Sequence, residues 1–127
     1  MSVLVDTSVW VEYLRGRSAL EEIDFLIDED LLITNELILA ELFPPLLARG
    51  EDELVGLLRE IPICPLQIDW QGIVMLQVTC LKNGINKIGI SDLVIAQNAM
   101  QSGLRVFAVD KHFLLLHRVI PLDLYEP

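Results

Sequence analysis

Val3-Leu4-Val5-Asp6-Thr7-Ser8-Val9-Trp10 is the stretch whose reading decides the fold. Val3 to Val5 is wholly apolar and rich in β-branched side chains, as expected of a short strand buried on both faces. Asp6-Thr7-Ser8 follows, a cluster of helix N-cap residues, and then Val9, Trp10, Tyr13 and Leu14 mark a helix that stops near Gly16. A buried strand that runs directly into a capped helix is the building unit of a parallel α/β sheet.

The same alternation continues outward from that unit. Ser18 to Ile27 reads as a helix, with Leu20, Ile23 and Ile27 at helical spacing, and Leu31 to Ile33 as a short strand. Thr34 or Asn35 caps a further helix carrying Glu41, which Pro44-Pro45 is expected to kink or end. Glu51 to Arg59 is amphipathic, and Ile61 to Leu66, broken by Pro62 and Pro65, suits an edge strand. Asp69 to Leu81 and Ser91 to Gln101 are helices, the second with Ser91 as cap and Gly103 just past its end. Val106 to Val109 is a buried strand, and Val119 to Leu122 a last short one. The expected architecture is one α/β domain over residues 1–127, with a central parallel sheet and helices on both faces. In such sheets ligands bind beyond the carboxyl ends of the strands.

Four acids stand where an apolar side chain or a plain turn is expected. Asp6 ends the run Val3 to Val5, Asp110 ends the run Val106 to Val109, and Asp92 opens the stretch Leu93 to Met100. Each has an ordinary structural explanation, as a helix cap, a first-turn charge or a turn residue. Glu41 has none of these, because it sits inside the nearly apolar stretch Leu37 to Leu47. On the apolar side of a buried helix it needs a base or a metal as partner. Carboxylates converging on one crevice supply oxygen ligands for Mg²⁺ or Mn²⁺. His112 and His117 are five residues apart, which is wrong for a one-face pair, and read as surface or packing residues.

Composition narrows the setting. The chain is 53% hydrophobic with a mean hydropathy of +0.49, yet no apolar run reaches the ~18 to 20 residues of a membrane span. That excess points to a broad surface buried against a partner. No secretory leader is read at the start, and Cys64 and Cys80 lack metal or redox spacing, so a reducing cytoplasm is the expected setting. The net charge of −10 is unevenly distributed. Residues 1–60 carry four bases against fourteen acids, whereas residues 61–127 carry five of each. The segments Glu21 to Asp30 and Glu51 to Glu60 read as solvated helix faces or as a docking surface for a basic partner. Charge therefore neither demands nor forbids a nucleic-acid partner.

Residues 3–16, Val-Leu-Val-Asp-Thr-Ser-Val-Trp-Val-Glu-Tyr-Leu-Arg-Gly, resemble the opening of PIN-domain ribonucleases, above all VapC-type toxins. Ala40-Glu41-Leu42, Ile90-Ser91-Asp92-Leu93-Val94-Ile95-Ala96 and Val109-Asp110-Lys111-His112-Phe113 extend the resemblance along nearly the whole chain. The resemblance implies a three-layer α/β/α sandwich and a metal-dependent endoribonuclease. Asp6, Glu41, Asp92 and Asp110 would be its acidic site for Mg²⁺ or Mn²⁺, and Thr7 or Ser8 a hydroxyl that orients water or a carboxylate. It also implies an RNA substrate, a homodimer, and a small antitoxin that completes a type II toxin–antitoxin pair. Two positions depart from the family pattern. Ala108 stands where a hydroxyl residue is common, and His112 where Asp or Asn is common, and both bear on a second metal position; His112 reads first as a passive substitution, with ligation of metal or contact with phosphate as the alternative.

Other readings fit less well. A dehalogenase-like phosphatase needs an acid two residues after its first aspartate, where this chain has Ser8, and a receiver domain needs paired acids near Asp6. A PIN-like scaffold that binds RNA or protein without cleaving is the non-catalytic alternative. Arg15, Arg17, Lys87 and Lys111 are the candidate phosphate contacts.

Overall fold

The computed structural model describes residues 2–127. Strand β1 (Val3–Val5) is completely buried and lies between β2 (Leu32–Ile33) and β3 (Arg105–Phe107), paired parallel to both. Two parallel bridges, Thr34 to Ile63 and Val106 to Leu124, widen the sheet by one contact at each edge. Helices α1 (Thr7–Leu14), α2 (Leu20–Asp28), α3 (Glu36–Ala48), α4 (Asp52–Leu58), α5 (Trp70–Lys82), α6 (Ile90–Ser102) and α7 (Lys111–His117) complete the chain. They cover both faces of β1, which is why that strand carries no polar side chain, and the result is the expected three-layer α/β/α sandwich. From β1 the chain crosses to β2 on one side, and from β3 it passes to the Leu124 bridge on the other. The carboxyl ends of β1 and β3 therefore flank the switch point where such sheets open a crevice.

Three expectations need correction. Of the kink or end expected at Pro44-Pro45, the end does not occur: α3 continues to Ala48. Both prolines are exposed, so the carbonyls of Ala40 and Glu41 that lose a helical N–H partner lie on the water side, while Leu42, Phe43 and Leu46 keep the other face anchored in the core. The edge segment Ile61 to Leu66 reduces to one bridge at Ile63, because Pro62 and Pro65 can donate no ladder hydrogen bond. Val119 to Leu122 is not a strand; Pro121 interrupts it, and pairing with β3 falls later, where Val106 N–H donates to Asp123 O and Tyr125 N–H to Val106 O.

Smaller shifts occur at helix starts. Gly89 rather than Ser91 is the cap of α6, which places Asp92 in its first turn, while Gly103 ends the helix with the left-handed backbone (φ 64°) that glycine adopts most readily. β3 ends at Phe107, so Ala108 and Val109 lead irregularly into Asp110.

A buried amide pair sets α3 against α6. Asn35 caps α3, accepting from Ile38 N–H at 2.9 Å, and its Nδ2 donates to Asn98 Oδ1 at 3.0 Å. Asn98 Nδ2 in turn donates to Pro65 O at 3.1 Å, so one side chain ties α6 to α3 and to the following loop. Asn98→Ala leaves the Asn35 amide and the Pro65 carbonyl without their partner, at about 1–3 kcal/mol for each unsatisfied group. The variant is expected to unfold at lower urea concentration by an amount in that range, and an unchanged midpoint would show that the pair carries no structural weight.

Candidate active site

Asp6 is the N-cap of α1 and Asp110 the N-cap of α7, while Asp92 lies in the first turn of α6. Three helix N-termini thus deliver three carboxylates toward the ends of β1 and β3. The ordinary explanation holds for each acid, since N-terminal N–H groups and the helix dipole favour negative charge there, and the same positions bring the three together.

Asp6 is the most enclosed of the group, at 5% exposure. Its Oδ2 accepts from Ser8 Oγ at 2.6 Å and from Ser8 N–H at 3.0 Å. Ser8 Oγ in turn accepts from Val109 N–H at 3.2 Å, so one hydroxyl fastens the end of β1 to the segment leading to Asp110. Burial pushes the Asp6 carboxyl above the ordinary carboxylate range; the Ser8 hydrogen bonds pull it back, and the negative charge of Asp92 pushes it up again.

Glu41 corrects the expectation of an acid facing the core. The buried face of α3 is made by Ile38, Leu39, Leu42, Phe43 and Leu46, and Glu41 falls on the exposed side with Ala40, Pro44 and Pro45. An apolar stretch in the sequence is not buried on every side. Its partner is neither a base nor a core group but the hydroxyl of Thr7, whose Oγ1 donates to Glu41 Oε1 at 3.0 Å. Partial burial of the carboxyl raises its pKa, the Thr7 bond lowers it, and the charges of Asp6 and Asp92 raise it. Thr7 and Ser8 therefore divide the expected hydroxyl role, each orienting a different carboxylate.

His112, read first as a surface or packing residue, stands inside the group. Its Nδ1 lies 3.0 Å from Asp92 Oδ2 and 3.5 Å from Asp110 Oδ1, and its backbone N–H donates to Asp110 Oδ1 at 2.8 Å. The position two residues after a helix-capping aspartate brings it back toward the cap; spacing to the other histidine was the wrong signal. His117 is uninvolved, its Nδ1 bonded to the Leu122 carbonyl. Burial raises the Asp92 carboxyl, the hydrogen bond from His112 lowers it, and Asp110 raises it again.

The four acids are thus close enough to repel one another, and among the described residues no lysine or arginine forms an ion pair with any of them. Arg17 is drawn to Glu12 at 2.7 Å, while Arg15, Lys87 and Lys111 are exposed. Asp92, Asp110 and His112 are the described residues whose donor atoms lie mutually within 4.8 Å, close enough to share one ion; Asp6 and Glu41 stand further out. Carboxyls of Asp6, Glu41 and Asp92 raised by burial and by neighbouring acids, with no lysine or arginine paired to them, fit a divalent cation of the oxygen-preferring kind.

The family model of the PIN domain matches residues 3–118, and the chain belongs to the PIN-domain family. No curated protein matches by sequence search. Among solved structures, VapBC2 from Rickettsia felis bound to a promoter DNA fragment is similar with a TM-score of 0.77 at 17% identity, covering 98% of each chain. DNA-bound VapBC from Salmonella typhimurium follows with a TM-score of 0.76 at 14% identity, over 98% of this chain and 97% of that one. VapBC-1 from nontypeable Haemophilus influenzae gives a TM-score of 0.76 at 20% identity, over 99% and 98%.

The upward pKa shifts carry a stability consequence. A folded value above the unfolded one means that the native, metal-free protein holds these protons more tightly than the unfolded chain. This contribution is fully present below the unfolded carboxylate value of about 4 and is lost as pH rises through the raised folded values. Asp92→Asn removes one repelling charge. In EDTA it is expected to melt above the wild type at about pH 7, the gap closing as pH falls toward about 4. Calorimetry across that range checks this, and a variant that melts lower at neutral pH would show attraction, not repulsion, to dominate at Asp92.

Proposed function

We propose that the chain is a metal-dependent endoribonuclease and the toxin of a type II toxin–antitoxin pair. The observation that carries this reading is the convergence of Asp6, Glu41, Asp92 and Asp110, with no lysine or arginine paired to them, at the switch point of a PIN-domain sheet. Asp92 and Asp110 would hold Mg²⁺ or Mn²⁺ most directly, with Asp6 and Glu41 completing the acidic set further out. When bound, such a cation supplies a water of lowered pKa and neutralises charge on a phosphodiester.

The chain's own groups account for the rest. Ser8 fixes the Asp6 carboxylate in one orientation, and Thr7 fixes Glu41 through Oε1. That leaves Glu41 Oε2 to accept the proton of an attacking water, for which a raised pKa at the solvent edge is well suited. Water adds to phosphorus, the bond to the leaving ribose oxygen breaks, and that oxygen takes up a proton. Arg15, Lys87 and Lys111 are exposed and available to RNA phosphates.

Two surfaces support the proposed partners. A groove of about 390 Å³ is lined by Trp10, Leu14, Ile27 and Leu57 and edged by Asp30 and Glu60, which suits an apolar antitoxin segment with basic flanks. Trp10 Nε1 is buried there without a hydrogen-bond acceptor. On α5, Trp70, Val74 and Leu81 are exposed on helical spacing beside Met75, a stripe that suits a second copy of the chain. The three solved relatives are VapBC proteins, two of them DNA-bound. No described helix is long and apolar enough to cross a membrane, and the cytoplasm is the proposed setting.

Purified protein with Mn²⁺ or Mg²⁺ is expected to cleave structured RNA, with EDTA abolishing cleavage. Glu41→Gln is expected to slow it by roughly 100-fold or more, as loss of a general base does. Cleavage indifferent to EDTA and to Asp6→Asn would overturn the reading, and metal binding without cleavage would favour the non-catalytic scaffold.

A further inference from the structure

Asp92, Asp110 and His112 form a three-point arrangement of two oxygen donors and one nitrogen donor. His112 is half-buried near the start of α7, so its imidazole does not swing freely in water. Its Nδ1 lies 3.0 Å from Asp92 Oδ2 and 3.5 Å from Asp110 Oδ1. Adjacent donors on an octahedral ion with bonds of ~2.1 Å are about 3.0 Å apart, the edge of the octahedron. These two separations are one such edge and one slightly opened, and all three donor atoms lie within 4.8 Å of one another. Three donors so close at the starts of two helices can meet on one ion.

Softness then bears on which ion is favoured. Carboxylate and water oxygens suit Mg²⁺, whereas an imidazole nitrogen suits first-row transition ions, whose affinity rises along the series from Mn²⁺. Mg²⁺ also gives up its waters reluctantly, so an added nitrogen helps it least. We infer that His112 is a direct nitrogen ligand, through Nδ1, to the cation held by Asp92 and Asp110, and that it biases this site toward Mn²⁺ over Mg²⁺. This rests on the metal-site reading proposed above. In the metal-free arrangement Nδ1–H donates to Asp92; on ligation the imidazole carries its proton on Nε2, leaving Nδ1's lone pair for the ion.

The test needs no turnover. The chain has two histidines, and His117 is tied to the Leu122 carbonyl, so nitrogen coupling is assignable in tag-free protein. Electron spin-echo spectra of the full chain with MnCl₂ are expected to show ¹⁴N modulation from imidazole, lost in His112→Asp and kept in His117→Gln. Calorimetric titrations with MnCl₂ and MgCl₂ are expected to show a Mn²⁺ preference that falls in His112→Asp, where an oxygen donor replaces the nitrogen. The wild-type spectrum alone suffices if the variant does not fold. Mn²⁺ binding that Asp92→Asn abolishes, but without ¹⁴N coupling, overturns the role of His112 and leaves the metal site standing. Absence of any Mn²⁺ binding overturns both.

Discussion

Asp6 sits at 5% exposure at the end of the central strand, and the elements around it are arranged so that a charge can exist there. Ser8 gives it two hydrogen bonds, and α1 presents its N-terminus to it. Ser8 also receives the Val109 N–H, which ties the approach to Asp110 to the same point. Asp6 N–H donates to Phe107 O, so the last rung of the β1–β3 ladder and the carboxylate occupy one residue. The acidic crevice is therefore part of the way the sheet ends and the helices begin.

That arrangement holds like charges closer together than stability favours. Burial raises Asp6, Glu41 and Asp92, and the acids raise one another. The destabilisation is offset elsewhere, by the wholly apolar β1, by α6 with its run of buried residues from Leu93 to Ala99, and by the Asn35–Asn98 pair. A fold that keeps mutually repelling carboxylates together is one in which a cation that binds them contributes stability, by an amount that grows with its concentration. On the proposed function, the stability–function trade-off resides in the same side chains as the proposed chemistry.

The sequence made the frame legible because its signals were local. The apolar triplet at Val3 to Val5, the cap at Asp6 and the glycine at Gly103 each act within one turn or strand, and each appears where read. The parallel sheet followed from their alternation. What failed depended on the third dimension. Pro44 and Pro45 carry a strong local signal for a break, but their face of α3 is solvated and the other face is held by the core. Glu41 looked buried because its neighbours in the chain are apolar, yet the helix turns it outward to Thr7. His112 looked incidental because its approach to Asp92 comes from α7 packing on α6, across a sequence separation of 20 residues. The acids and the hydroxyls of Thr7 and Ser8 beside them were legible as types; the approach of His112 was not.

Anomalous diffraction from crystals soaked in MnCl₂ tests most directly whether the crevice exists to hold a divalent ion. The account predicts a manganese peak in the crevice, bonded by carboxylate oxygens of the Asp6, Asp92 and Asp110 group and lost in Asp92→Asn crystals. A crevice without manganese in protein that still cleaves RNA, or a peak bound only elsewhere, would contradict it.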